Sequence, residues 1–199
     1  MRRDDFLRED VEFFKEVAHR CQVGYLGLMT EEGFPRNVAL NFVAMNEAIY
    51  FHGALAGQKF DLLAKKPRVG FTMAWELSYI PSNWIGPEYA CPATQLYKSV
   101  EIQGQGVVVE DGHEKARALQ ALMEKHQPGE TFRKITGDEK IYRKALAETG
   151  VFRVDVESWA GKVRLYQEKP ASFRELIIGK LKERGAEIDL VTASQIEEF

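Results

Sequence analysis

The stretch His52-Gly-Ala-Leu-Ala-Gly-Gln-Lys59 concentrates the most chemistry in the chain. A strand-like run ends in a glycine-containing turn, and a helical pattern starts at once. Free backbone N–H groups at a helix start attract anions, and Lys59 adds a positive charge in the first turn. A cation there opposes the helix dipole unless an anion compensates, which points to a phosphate. The run is not a Walker loop, which needs G-x-x-x-x-G-K-[ST]. By itself it also reads as a tight turn with a solvated lysine. Arg36, in Pro35-Arg-Asn-Val-Ala-Leu40, starts a strand from which a guanidinium can reach the same phosphate, or it is an ordinary surface arginine. Trp159 follows an alternating strand and can stack on a planar ligand or simply close a barrel. His52, at a strand end, is either a hydrogen-bonded structural residue or an acid–base group.

Other chemistries find little support. The four histidines, His19, His52, His113 and His126, form no H-x-x-x-H or H-E-x-x-H pattern, and Cys21 and Cys91 form no C-x-x-C pair, so no metal site is expected. Cys21 falls on a helix face and reads as core packing, whereas Cys91 lies in a long loop. No Ser/His/Asp arrangement is legible in sequence order.

The elements that must position these residues read as mostly antiparallel strands. Asp10 caps a first helix with Phe14, Val17, Ala18 and Cys21 on one face. Strands follow over Val23–Thr30, Arg36–Met45 and Ala48–His52, joined by turns too short for anything but antiparallel pairing. A short helix covers Gln58–Lys66 and stops at Pro67. Arg68–Trp75 is a strand, Glu76–Thr94 an irregular loop, and Lys98–Val109 a long strand. Gly104 and Gly106 in that strand signal a close backbone approach. Asp111 and Glu114 start a helix with a capping box, and a second helix covers Asp138–Glu148. Phe152, Val154 and Val156 alternate as a half-buried strand, on which Lys162–Gln167 pairs back through Ala160-Gly161. A tail helix opens with the capping box Ser172-Phe-Arg-Glu175 and ends at Gly185. The expected fold is mainly β (α+β), six to seven mostly antiparallel strands forming a small β-barrel with peripheral helices. The organisation is a domain over residues 1–167 and a C-terminal helical extension over 168–199 packed on it.

The 199 residues, 45% hydrophobic and 29% charged, suit one globular domain that needs no staples. A net charge of −3 argues against nucleic-acid binding. The N-terminus lacks the apolar core of a signal peptide, and no run reaches the ~18–20 apolar residues of a membrane helix. The expectation is a soluble cytoplasmic protein with no membrane partner.

Taken in order, these stretches resemble the FMN-binding split-barrel superfamily of pyridoxamine 5′-phosphate oxidase, on its nitroimidazole-resistance-like branch. The carriers are Gly33-Phe-Pro-Arg-Asn-Val, Ile49-Tyr-Phe-His-Gly-Ala, Gly57-Gln-Lys, Lys66-Pro-Arg-Val, Cys91 and Tyr97-Lys-Ser-Val-Glu-Ile-Gln-Gly104, and the resemblance spans about residues 5–167. It implies that Arg36, Asn37, Val38, Ala39 and Leu40 line the flavin. It also implies that Arg36 and Lys59 bind the phosphate, that His52 and Gly53 lie beside the ring, and that Ser99 touches the cofactor. Glu157-Ser-Trp-Ala-Gly-Lys-Val-Arg-Leu-Tyr166 resembles the oxidase stretch in which tryptophan packs on the flavin from the partner subunit, which assigns Trp159 and Arg164. Tyr166 stands where the oxidase has a substrate-binding histidine, and its substrate-phosphate cluster has no match here. The resemblance therefore does not extend to oxidation of pyridoxamine phosphate. It implies an FMN-dependent oxidoreductase, a homodimer with flavin sites at the subunit interface and a small-molecule substrate, with His52 as the candidate catalytic residue. The alternative is a non-enzymatic flavin- or haem-binding protein.

Overall fold

A computed structural model of the chain describes residues 4–86, 88–129 and 131–198. In chain order the elements are β1 (Leu7–Arg8), α1 (Val11–Arg20), β2 (Val23–Met29), β3 (Pro35–Asn41), β4 (Val43–Met45), β5 (Ala48–Ala54) and α2 (Gln58–Leu63). They continue as β6 (Arg68–Ile80), β7 (Thr94–Val109), α3 (Gly112–His126), α4 (Arg143–Glu148), β8 (Thr149–Arg164), α5 (Ala171–Arg184) and α6 (Glu187–Glu197). The strands follow the order β3-β2-β6-β7-β8-β5-β4, with β1 paired to β8. Seven strands on one antiparallel path with added helices give the expected class, an α+β split β-barrel.

The contacts divide the chain into two compact units. The larger comprises Val11–Met73 and Val100–Ala160. Its core is aromatic and aliphatic: Leu26, Phe42, Ile49, Phe51, Leu63, Phe71, Met73, Val151 and Phe152 are all sealed from solvent. Gly104 is required here, because a Cβ at that position would lie 2.1 Å from the Asp155 carbonyl oxygen. Asp111 caps α3 by accepting the Glu114 N–H at 2.6 Å. Glu114 and Asp155 in turn hold Arg153, each at 2.5 Å, and Glu114 accepts the Tyr50 hydroxyl at 2.9 Å.

The smaller unit joins the described residues up to Asp10, Ala74–Ser99 and the chain from Gly161 onward. Its core holds Leu77, Ile80, Leu96, Val163, Leu165, Ile177, Leu181 and Ile196. Asp189, in the first turn of α6, is completely buried. Its carboxylate accepts from the Ser78 hydroxyl at 2.6 Å, from Arg184 Nε at 2.7 Å and from the Ala186 N–H at 3.2 Å. These bonds hold it well below the ordinary carboxylate value of 3.8, at about 2, with the Arg184 hydrogen bond as the largest cause. Thr192 completes the cluster by accepting the Ser78 N–H at 2.9 Å and donating to the Ile188 carbonyl at 2.7 Å.

Several local expectations are corrected. β8 runs unbroken through Ala160-Gly161, and residues Gly161 and Lys162 pair with β1 rather than folding back. β6 extends to Ile80 through what reads as loop, because Leu77, Ser78 and Ile80 face the core of the smaller unit. Ser172 lies inside α5, whose N-cap is Pro170, so the Ser172–Glu175 box does not form. α6 has no counterpart in the sequence reading. Its buried face is Asp189, Thr192, Ala193, Gln195 and Ile196, too polar to show a helical apolar stripe.

Candidate functional site

The link from β5 to α2 carries the candidate site. β5 pairs with β8 in the register Phe51↔Phe152, His52↔Val151 and Gly53↔Gly150. Phe51 and Phe152 therefore stack, with ring centres 5.4 Å apart, and Phe60 of α2 meets Phe152 edge-on at 6.4 Å. The Lys59 ammonium lies over this platform, 5.1 Å from the Phe152 ring centre and 5.6 Å from that of Phe51. Gly53 leaves room for it: a Cβ there would approach Lys59 Nζ to 2.5 Å and push the side chain aside.

Lys59 is half-buried, and among the described residues it has no carboxylate or hydrogen-bond partner. Burial lowers its pKa, the signature of a charge whose lost hydration is not replaced. The cation–π contacts compensate only in part. Gly57 occupies the N-cap of α2 with φ 88° and offers no side-chain oxygen. The first-turn N–H groups are thus left without the usual capping acceptor. Arg36, on β3, donates from Nη1 to Oε1 of Gln58, the first residue of α2. This bond ties Arg36 to the residue before Lys59, and among the described residues neither cation has an acidic partner.

β3 is the terminal strand of the sheet path and pairs only with β2 among the described residues. Arg36, Asn37 and Ala39 are exposed, while Val38 and Leu40 are half-buried. The strand therefore offers a free backbone edge with alternating side chains. His52 is largely exposed, yet its pKa is lowered, by partial desolvation first and then by the charges of Lys59 and His126.

Ser99 is buried in the smaller unit, and Arg164 is half-buried in the same unit. Trp159 stands on β8 eight residues beyond Val151, the partner of His52, or about 26 Å along the strand. It packs instead edge-on against Phe14, with centres 5.2 Å apart. Sequence reasoning missed the Phe51–Phe152 platform, Gln58 and His126. Phe51 and Phe152 each read as core aromatics, and only the strand register makes them a pair under Lys59.

The model of the pyridoxamine 5′-phosphate oxidase family matches residues 14–163, three quarters of the sequence, and the chain belongs to that family. Solved structures of the same fold include a protein of Bacteroides thetaiotaomicron assigned to 5-nitroimidazole antibiotic resistance. It is 22% identical with a TM-score of 0.63, over 79% of this chain and 86% of that one. The flavocytochrome Anf3 of Azotobacter vinelandii is 20% identical with a TM-score of 0.64, over 80% and 69%. An FAD- and haem-binding protein of Mycobacterium smegmatis is 18% identical with a TM-score of 0.65, over 79% and 72%. No curated protein matches the chain. Among the described residues no helix is long and apolar enough to cross a membrane.

Proposed function

We propose that this protein is an FMN-dependent oxidoreductase, a flavin reductase acting on nitro compounds or another small acceptor. The observation that carries the reading is the pair of cations at the uncapped start of α2. Lys59 is desolvated without an acidic partner, and Arg36 reaches the same turn through Gln58. A phosphate monoester answers both, and family membership names the ligand class. FMN is favoured over FAD because the turn offers cations for a single phosphate and the sequence has no G-x-G-x-x-G element for a pyrophosphate.

Bound FMN supplies the redox chemistry, and the protein supplies binding, orientation and electrostatics. Arg36 and Lys59 hold the phosphate. Asn37, Val38, Ala39 and Leu40 offer the free strand edge and its side chains to the ring system, beside Gly53. His52 hydrogen-bonds the acceptor. Ser99, Trp159 and Arg164 are assigned by resemblance, the last two supplied by a second copy of the chain. The distance of Trp159 from the turn of its own chain supports that division. Val23, Tyr25 and Met29 of β2, 40%, 51% and 58% exposed, offer apolar surface for the association.

Three measurements test this. The purified protein is expected to show a flavin absorbance spectrum and to release FMN on denaturation; released FAD, haem, or no chromophore overturns the assignment. Lys59→Ala and Arg36→Ala are each expected to weaken FMN binding to the apo-protein by ~1.5–3 kcal/mol, or roughly 10- to 150-fold. Unchanged affinity in both variants removes the phosphate site. Light scattering of the holo-protein is expected to give about 45 kDa, twice the 22.7 kDa chain. An obligate interface of upwards of ~2,000 Å² keeps such a dimer intact on dilution. A monomer that retains flavin rules out an interfacial site.

A further inference from the structure

A second cleft lies in the larger unit, away from the Lys59 turn. Val11 and Phe14 of α1, Glu47 of the β4–β5 turn and residues 156–159 of β8 enclose about 280 Å³. That is at the small end of small-molecule sites. Its floor is aromatic, with Trp159 and Phe14 meeting at 61°, both half-buried and so partly open to a ligand. Its rim is acidic, and no cation lines it. Among the described residues neither Glu47 nor Glu157 has an ion-pair or hydrogen-bond partner. Arg68 borders the neighbouring cleft that Glu157 also lines, but forms no ion pair with it.

The placement of Glu47 is an independent observation. Met45 pairs with Ala48, and the two residues between them, Asn46 and Glu47, have φ of 52° and 59°. This is the two-residue hairpin turn that Asn-Gly ordinarily fills, because both positions need left-handed backbone. Glutamate is an uncommon occupant of the second position, and among the described residues no hydrogen bond or ion pair uses its carboxylate.

We propose that this cleft binds an organic cation, a protonated or quaternary amine carrying a flat ring. The two carboxylates repel an anion, and a neutral ring gains nothing from them. An ammonium uses the carboxylates for its charge, while the indole and phenyl groups receive its apolar body and add cation–π attraction. As a binding site the cleft stands on this geometry alone. Its role as the acceptor pocket rests on the flavin reading, since there Trp159 of one copy meets the flavin of the other.

The test uses the protein as purified, with its flavin content recorded first. In calorimetric titration benzyltrimethylammonium is expected to bind, and benzoate not to bind. The double variant E47Q/E157Q, changed only at exposed side chains, is expected to weaken the cation about tenfold while leaving FMN content unchanged. Equal binding of cation and anion, or cation affinity unchanged in the double variant, overturns the proposal. In a flavin-loaded, reduced sample a cationic nitroaromatic is expected to reoxidise the protein faster than its neutral analogue, with the preference lost in E47Q/E157Q. Equal rates remove the acceptor role. A protein that binds the cation but holds no flavin refutes the flavin reading and leaves the cation site standing.

Discussion

Asp189→Ala is expected to lower the unfolding free energy of the smaller unit by about 3 kcal/mol, the low end of the cost of breaking a buried pair. The low end applies because the Arg184 side chain is 37% exposed and can recover water, whereas Asp189 is fully buried. The loss has three parts. The carboxylate no longer receives the Ser78 hydroxyl, it no longer neutralises Arg184, and it no longer caps α6 at the Ala186 N–H. Trp84 reports the event directly, because the Arg184 guanidinium lies 4.7 Å from its ring centre. Its emission is expected to follow urea denaturation with a midpoint well below wild type.

The same residue sets a pH dependence of known sign. Its pKa is depressed to about 2 in the fold and returns to the ordinary 3.8 on unfolding. The unfolded chain therefore binds more protons in this range, and the stabilisation is complete above about pH 4. As pH falls from about 4 through about 2 it disappears, to the extent of about 2 kcal/mol. Asp189→Asn keeps the shape without the charge, and its stability is expected to lack this component. A variant and a wild type that lose stability in parallel between pH 5 and pH 2 would show that other carboxylates dominate the acid response.

The second large effect concerns turnover. His52→Asn is expected to retain FMN and to slow reoxidation of the reduced protein by its acceptor ~10²-fold or more. Partial desolvation and the charges of the neighbouring Lys59 and His126 lower its pKa. On the proposed reading the ring hydrogen-bonds the acceptor. A phosphate beside Lys59 offsets one of those charges, so FMN binding is expected to raise the His52 pKa, as read from its ring-proton NMR titration. A pH-dependent component of the reoxidation rate should follow that value and vanish in His52→Asn. If the variant instead loses flavin or stability while its remaining holo-protein turns over normally, His52 is structural and leaves the catalytic assignment.

The local signals in the chain were strong where one residue type answers one local demand. Gly57-Gln-Lys59 after an apolar strand announced a helix start with an unneutralised cation, and that is what the structure contains. Asp111 and Glu114 announced the α3 cap, and Gly104 announced a close backbone approach. In each case the cause lies within a few residues or in the absence of a side chain, so it is written in the local sequence. Ala160-Gly161 shows the limit. The same dipeptide suits a turn or a continuing strand, and pairing with β1, some 150 residues earlier in the chain, makes it a strand.

What the sequence determined by itself is therefore most of the elements, their alternation into an antiparallel sheet, and the identity of the groups proposed to meet a phosphate. Tertiary structure decided which of those groups meet. Strand register placed Phe51 against Phe152 beneath Lys59, and the Arg36–Gln58 bond joined residues 22 positions apart. Register also put Trp159 about 26 Å along β8 from the turn of its own chain, against Phe14. The α6 helix was invisible because its buried face is held by Asp189, Thr192 and Gln195. Polar side chains in a core become favourable only once their partners, here Ser78 and Arg184, have been brought to them by the rest of the fold.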